Sequence, residues 1–210
     1  MIEEEGLEIF WNGNASVRIE DNGFTVAVDP FREAFTDFEA DIVLVTHQDS
    51  EHFDLEAIDE VSYPRTVLLL PESMRDVETP VNDVEYIGEE EVVDIYNVEI
   101  EGVPMSNEYH ERGQGLGYRF VMDSTSFYIA GDTGIFDGVL ELENRVDYAF
   151  LPVEGEHSMD VSEASKMAAK VKPSVTVPYH YSEEDVDLRS FKTELKRRSL
   201  STEIMEPEKE

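Results

Sequence analysis

Residues 46–52 constrain this chain most, because they gather two of its five histidines and two carboxylates directly after an apolar run. That run, residues 42–45, is entirely apolar and predicts a buried strand. Loops that follow buried strands often carry function, and histidine and carboxylate are common ligands of hydrolytic metals. The segment predicts a metal site, with an acidic surface loop as the alternative, because carboxylates are abundant throughout the chain.

Apolar periodicity and turn signals predict the remaining elements. The predicted strands are 7–11, 15–20, 24–28, 66–70, 84–87, 91–95, 97–103, 117–122, 126–130, 148–153 and 174–179. The predicted helices are 55–61, 161–171 and 187–198, together with a helix start at 71–73. Strands come first and then alternate with helices, which predicts a layered α/β fold. We expect one domain over residues 1–210, with a frayed tail from residue 203 to 210.

The net charge of -33 arises from 49 acidic and 16 basic residues. Disorder is one interpretation of such a charge, but 40% of the residues are hydrophobic and fall in strand-like runs. A folded core under an acidic surface fits better, and such a surface suits molar salt, where charges are screened. We therefore expect a halophilic protein. The alternative is an acidic mesophilic protein, which would usually contain more lysine.

Composition also limits the partners and the location. No basic stripe is present to replace counterions on nucleic acid, so nucleic acid is not expected as a partner. The chain has no cysteine, no apolar run near the ~20 residues of a membrane helix, and an acidic start without a signal-peptide core. We expect a cytoplasmic protein with a small-molecule substrate and no membrane contact, and leave a homo-oligomer open.

Two further polar residues follow predicted strands in the second half of the chain. Asp132 lies in a Gly-Asp-Thr-Gly segment, and His180 comes directly after an apolar strand. Taken singly, Asp132 is typical of a turn and His180 of a hydrogen-bonded histidine. With His47 and His52 they form a set of ligand types at the ends of three strands, where sheets bring loops together.

Six landmarks in chain order resemble one known family. They are Trp11-Asn12-Gly13-Asn14-Ala15-Ser16 with Asp29-Pro30-Phe31, residues 46–52, His110-Glu111-Arg112-Gly113, Gly131-Asp132-Thr133, Leu151-Pro152-Val153-Glu154-Gly155 with Ser158-Met159-Asp160, and Val177-Pro178-Tyr179-His180-Tyr181. They are similar to motifs of the metallo-β-lactamase superfamily, specifically its branch near the L-ascorbate-6-phosphate lactonase-like hydrolases. The resemblance covers nearly the whole chain.

The resemblance implies a four-layer αββα sandwich with a metal site at one edge of its two sheets. It implies two divalent metal ions, zinc or manganese. The implied ligands of the first ion are His47, Asp49, His110 and Asp132, and those of the second are Glu51, His52, His180 and Asp132.

Three residues depart from the pattern of the family. Asp49 stands where the family has a histidine, Glu51 where it has an aspartate, and Asn14 where the branch often has a histidine. A carboxylate oxygen is a harder ligand than imidazole, so Asp49 favours manganese or magnesium over zinc. The site is therefore either tuned to such a metal or degenerate, with one metal or none.

The predicted function is metal-dependent hydrolysis of a carbonyl or phosphoryl substrate, of the lactone or phosphoester class. A water between two ions would lose a proton and attack the electrophile, with Asp132 or Glu51 orienting it. The first alternative is a catalytically degenerate binding protein with a weakened or absent metal site. The second, a structural metal domain, is disfavoured because the ligands come from separated loops.

Other cues are interpreted as structural. The run Gly113-x-Gly115-x-Gly117 precedes a strand instead of a helix, so it indicates a turn and not a nucleotide loop. His157 has no role in the family and is interpreted as a solvated loop residue, with a place at the pocket edge as the alternative. Ser16 and Ser50 lack a spare histidine base, which disfavours a serine hydrolase.

Overall fold

The computed structural model describes residues 1–4, 6–182 and 186–208, in which thirteen strands form two mixed sheets. The first sheet contains, in spatial order, β1 (Ile2–Glu4), β2 (Leu7–Gly13), β3 (Ser16–Asp21), β4 (Phe24–Val28), β5 (Ala40–Leu44), β6 (Ser62–Pro71) and β7 (Asp83–Ile87). The second contains β8 (Val92–Ile95), β9 (Val98–Pro104), β10 (Leu116–Met122), β11 (Thr125–Ile129), β12 (Tyr148–Pro152) and β13 (Val175–Tyr179), also neighbours in that order.

Both sheets combine an antiparallel half with a parallel half. Strands β1 to β4 pair antiparallel and β4 to β7 pair parallel. In the second sheet, β8 to β11 pair antiparallel and β11 to β13 pair parallel. The carboxyl ends of several parallel strands therefore reach one edge of each sheet, which is where sheets place functional loops.

The core lies between the two sheets and continues under the helices. Along β5, Ile42 and Leu44 join the large core shared by both sheets, whereas Val43 joins a smaller cluster with Ile58 and Val61. This alternation follows from the two-residue period of a strand and requires both faces to be covered. The predicted αββα sandwich is confirmed.

The α-helices of the described residues cover the outer faces of the sheets. They are α1 (Leu55–Val61), α2 (Val161–Val171) and α3 (Leu188–Arg197). The predicted capping box of α2 is present, with Asp160 and Glu163 bonding to each other's backbone N–H groups. No helix among the described residues is long and apolar enough to cross a membrane.

Three local expectations need correction. The predicted helix start at 71–73 is only a single 3₁₀ turn, Glu72–Met74, because the residues on both sides of buried Met74 are exposed and a longer helix would bury little apolar surface there. The turn expected at Asn12-Gly13 falls instead at Asn14, with φ +49°, because Gly13 still pairs with Ser16. The third concerns the carboxyl-terminal tail.

The tail from Glu203 packs against the sheets as far as Glu208. The Glu203 N–H donates to the Thr176 carbonyl, the Glu208 N–H donates to the Trp11 carbonyl at 2.7 Å, and the Met205 side chain is buried. The frayed tail expected at 203–208 is therefore not observed, because these backbone groups find partners on strands. Residues 209 and 210 lie outside the described residues.

Candidate metal centre

Loops after five strands bring polar side chains to one edge of the two sheets. Asp29 follows β4, residues 46–52 follow β5, Asp132 follows β11, Glu154 follows β12 and His180 follows β13. His110 comes from the connection between β9 and β10. The seven side chains predicted as metal ligands all lie at this edge, in two groups that both face Asp132.

The first group consists of His47, Asp49 and His110. The Oδ2 atom of Asp49 lies 3.1 Å from Nε2 of His110 and 3.6 Å from Nε2 of His47. His47 is buried, whereas the Asp49 side chain is exposed at the cavity. One ligand atom from each residue lies within 4.8 Å of the others, a spacing that suits a single metal ion.

The second group consists of His52, His180 and Glu51. The Nε2 atoms of His52 and His180 are 3.2 Å apart, and Oε2 of Glu51 lies 3.9 Å from Nε2 of His180. Asp132 faces both groups: its Oδ1 lies 3.4 Å from His52 Nε2 and 3.5 Å from His180 Nε2, and its Oδ2 lies 3.9 Å from Nε2 of His47. Its carboxylate is placed to serve both groups.

Asp29 orients His47 and His52 from the buried side of the site. It is fully buried with φ +47°, and its Oδ1 accepts the Thr46 N–H at 2.7 Å. Its Oδ2 accepts the Thr46 hydroxyl at 2.7 Å and Nδ1–H of His52 at 2.8 Å. Because the Thr46 hydroxyl donates to Asp29, its oxygen is free to accept Nδ1–H of His47 at 3.0 Å. Both histidines then direct Nε2 into the site, as metal-binding histidines do.

Burial and neighbouring charges set the protonation of the buried groups. Burial, with help from the adjacent histidines, lowers the pKa of His47 to about 2, so its ring is neutral and Nε2 carries a lone pair. Burial also opposes a charge on His52, but Asp132 and Asp29 outweigh it and hold the pKa of His52 well above the usual value. Burial opposes the charge of Asp132 too, but His52 and His180 hold its pKa well below the usual range.

The donor atoms at this edge fit divalent metal ions. Among the described residues, Nε2 of His47 and Oδ1 of Asp132 are buried without a hydrogen-bond partner, which is costly unless a ligand satisfies them. Two histidine Nε2 atoms 3.2 Å apart share at most one proton, whereas a metal ion can bind both lone pairs. Neutral imidazoles and carboxylates are the ligand types that zinc and manganese take.

Close packing behind the site fixes the loops that carry the ligands. A Cβ atom at Gly115 would lie 2.7 Å from Cβ of His47 and 2.9 Å from the Thr46 carbonyl, so this position requires glycine. The Asn107 amide donates to the Asp132 carbonyl, and its Oδ1 accepts the His110 N–H at 2.6 Å. The glycine run is thus a turn into β10, as predicted, and it supports the site.

Sequence reasoning assigned no site role to Asp29, Thr46 or Asn107. Asp29 had the same signal that identified Asp132, a carboxylate directly after a strand, but served only as a landmark of the family. Thr46 lies within residues 46–52, the segment that predicted the metal site. Nothing in the sequence indicated Asn107, whose role depends on two loops meeting in space.

A cavity of about 580 Å³ opens above the metal-ligand side chains. It is lined by Gln48, Asp49, Ser50, Glu51, His52, Asp132, Glu154, Glu156, His157 and His180. His157 is both exposed and part of this wall, so it edges the pocket as the alternative interpretation had it. Its ring contacts that of Tyr109, with 4.9 Å between centroids.

Comparison with known proteins agrees with this geometry. A model of the beta-lactamase superfamily domain matches residues 8–180. A UPF0173 metal-dependent hydrolase from Thermoplasma acidophilum is 30% identical over 87% of this chain and 86% of its own, and a UPF0173 protein from Pyrococcus furiosus is 28% identical over 92% and 93%. A solved protein from Parabacteroides distasonis, described as a candidate metal-dependent hydrolase, is 29% identical over 96% and 94%, with a TM-score of 0.87.

The fold and the matched residues define the class of this protein. The chain belongs to the metallo-β-lactamase superfamily and, within it, to the UPF0173 family of metal-dependent hydrolases. Igni18, a metallo hydrolase from Ignicoccus hospitalis, shares the fold with a TM-score of 0.81 at 20% identity, over 97% of this chain and 96% of its own.

Replacing Asp29 by asparagine should weaken both the fold and metal binding. An asparagine amide has one acceptor oxygen fewer, so either Thr46 or His52 would lose its hydrogen bond. By analogy with broken buried pairs, the free energy of unfolding should fall by about 3 kcal/mol. We expect a melting temperature lower by on the order of 10 °C and a metal affinity weaker by about 10- to 100-fold in chelator competition. Asp123→Asn is the matched control, since Asp123 has φ +42° but is exposed. Equal effects of the two variants would contradict the role of Asp29.

Proposed function

We propose that this protein hydrolyses a carbonyl or phosphoryl substrate at a centre of two divalent metal ions, zinc or manganese. The observation that carries the proposal is the position of Asp132. Its two carboxylate oxygens face different histidine groups, at 3.4 Å from His52 Nε2 and 3.9 Å from His47 Nε2. A carboxylate whose two oxygens face histidine nitrogens of different groups is the arrangement that two-metal hydrolysis needs.

The first ion would be held by His47, Asp49, His110 and Asp132, and the second by Glu51, His52, His180 and Asp132. When bound, the ions would polarise the electrophile and lower the pKa of an attacking water. Asp29 and Thr46 keep the imidazoles oriented, so that Nε2 and not Nδ1 faces the cavity.

Glu51 and Asp132 are the residues placed to orient the attacking water, and Glu51 is the one placed to accept its proton. Glu51 is half exposed, and Nδ2 of Asn14 donates to its Oε2 at 3.1 Å. This bond holds the longer glutamate side chain at the cavity, 3.9 Å from His180 Nε2. Asn14 thus compensates for the extra methylene of Glu51, which supports a functional site.

The position of Asp49 supports a tuned site over a degenerate one. Its carboxylate lies between His47 and His110, at 3.6 and 3.1 Å from their Nε2 atoms, where the family pattern has a histidine. An oxygen ligand at this position favours manganese over zinc. The alternative remains a binding protein of the same fold with a weakened metal site.

Substitution of Asp49 tests the proposal and distinguishes these alternatives. With manganese, wild type should hold about two equivalents and hydrolyse generic lactone or phosphodiester substrates. Asp49→Ala should reduce kcat/KM at least about 100-fold, and Asp49→His should shift the preference toward zinc. The measurements are metal content after dialysis and initial rates with each metal.

The control for this series is Asp76→Asn, which removes one exposed carboxylate away from the site. An inactive wild type that gains metal and activity only with Asp49→His and Glu51→Asp combined would support the degenerate alternative. An active wild type indifferent to Asp49→Ala would contradict both versions.

We also propose that the protein works at high salt, which the net charge of -33 supports. A place in the cytoplasm stays a prediction. So does membership of the lactonase-like branch, which rests on the motifs of the sequence.

A further inference from the structure

The charge of the cavity walls narrows the substrate class of the proposed function. Resting on that function, we infer that this centre hydrolyses a carbonyl substrate without negative charge, an ester, lactone or amide that is neutral or cationic. A phosphoester or another anionic substrate is disfavoured. The attacking water oxygen bonds to the carbonyl carbon, the bond from carbon to the leaving oxygen or nitrogen breaks, and that atom takes the proton of the water.

Three cavities are lined by predicted metal ligands, and a fourth adjoins them at Glu156 and His157. None of the described residues that line these four cavities is lysine or arginine. The central cavity alone has five carboxylates in its wall. They are Asp49, Glu51, Asp132, Glu154 and Glu156. Two divalent ions bring four positive charges, so the loaded site would still carry one excess negative charge. Such a field repels an anion and attracts a cation.

The arginine that follows His110 and the arginine that follows the wall residue Phe31 are both bound elsewhere. Arg112, two residues after His110, binds the carboxylate of Glu89 and lines none of these cavities. Arg32, which follows Phe31 in the wall of one cavity, binds Asp54 and Glu56 at 2.9 Å each. Neither guanidinium is available to bind a phosphate, a role in which arginine is common.

An exposed aromatic ring supports the same conclusion independently of the carboxylates. Tyr109 is 58% exposed and lies against His157 at the rim, where it lines two of the cavities. An exposed ring at the rim of a binding site offers its face to an apolar or cationic group. The buried Oδ1 of Asp132, which has no hydrogen-bond partner, belongs to the wall of the central cavity, which shares His157 with the two cavities that Tyr109 lines. This marks the region as a ligand site and not merely an acidic surface.

Matched substrates of different charge test the inference. The probes are 4-nitrophenyl esters of butyrate, of 4-(trimethylammonio)butyrate and of glutarate, with bis(4-nitrophenyl) phosphate as the phosphodiester. With manganese, we expect kcat/KM for the cationic ester to exceed that for the anionic ester at least tenfold, and the phosphodiester to be the poorest substrate. Glu156→Lys should reduce the cation-to-anion ratio by about tenfold, because it reverses one charge of the wall.

Glu85→Lys is the matched control, since Glu85 is exposed on β7 and lines none of these cavities. It makes the same change in total charge and should leave the ratio unchanged. A ratio near one in wild type, a preference for the phosphodiester, or equal effects of the two lysine variants would overturn the inference.

Binding provides a readout that needs no turnover. Titration of the metal-loaded protein with benzyltrimethylammonium and with phenylphosphonate, followed by NMR, should show tighter binding of the cation, and Glu156→Lys should remove this preference. Tighter binding of the phosphonate would overturn the inference even if no ester is hydrolysed. No hydrolysis of any probe, together with a preserved preference for the cation, would contradict the proposed function and leave the substrate charge supported.

Discussion

Replacing Asp132 by asparagine should remove both metal ions and essentially all activity. The Asp132 carboxylate faces His47 on one side and His52 and His180 on the other, so both sites lose the same anionic ligand. The neutral amide would also leave the buried His52 without one of the two carboxylates that favour its charge. We expect metal content to fall from about two equivalents to well under one, and kcat to fall about 1000-fold or more.

His110→Ala is the comparison that makes this result specific. His110 belongs to the first group only, so its removal should cost one ion and leave the second group occupied. Metal content by elemental analysis, with melting curves in chelator to show that each variant folds, would separate the two outcomes. Asp132→Asn with two bound ions and activity within tenfold of wild type would disprove a shared carboxylate.

Thermal stability should rise steeply with salt. At a net charge of -33, the carboxylates repel each other across the folded surface, and this repulsion opposes the compact state. The Debye length falls from about 10 Å at 0.1 M to about 3 Å at 1 M, so molar KCl removes most of the repulsion. Each kcal/mol regained raises the melting temperature by about 2–4 °C in a chain of this size, and we expect an increase of about 10 °C or more.

Sucrose at matched osmolality separates charge screening from general exclusion of solute from the surface, which also stabilises compact states. Sucrose should raise the melting temperature much less than KCl does. An unchanged melting temperature between 0.1 and 2 M KCl would contradict a halophilic protein, without bearing on the fold.

Much of the fold was predictable because local signals agree with the tertiary structure. Helices α1 and α2 were predicted with their exact bounds, since each has a polar cap and an apolar face that a sheet covers. Expectations failed where tertiary contacts outweigh local preference. Asn12-Gly13 is a turn signal, but pairing of Gly13 with Ser16 moves the turn to Asn14. The acidic tail lacks local order signals, but Met205 finds a place in the core.

The sequence by itself determined the chemistry of the site: the ligand types, the strand ends that carry them and the excess of carboxylates. Only the tertiary structure decided how these side chains meet. Asp132 lies about 80 residues after the segment 46–52 in the sequence. No local rule predicts which of its oxygens faces His47 and which faces His52. The same holds for Arg112, which the sequence places beside His110 but whose ion pair with Glu89 takes it away from the cavity. The reason is physical: residue types are local properties, whereas distances and pairings between loops depend on how two sheets pack.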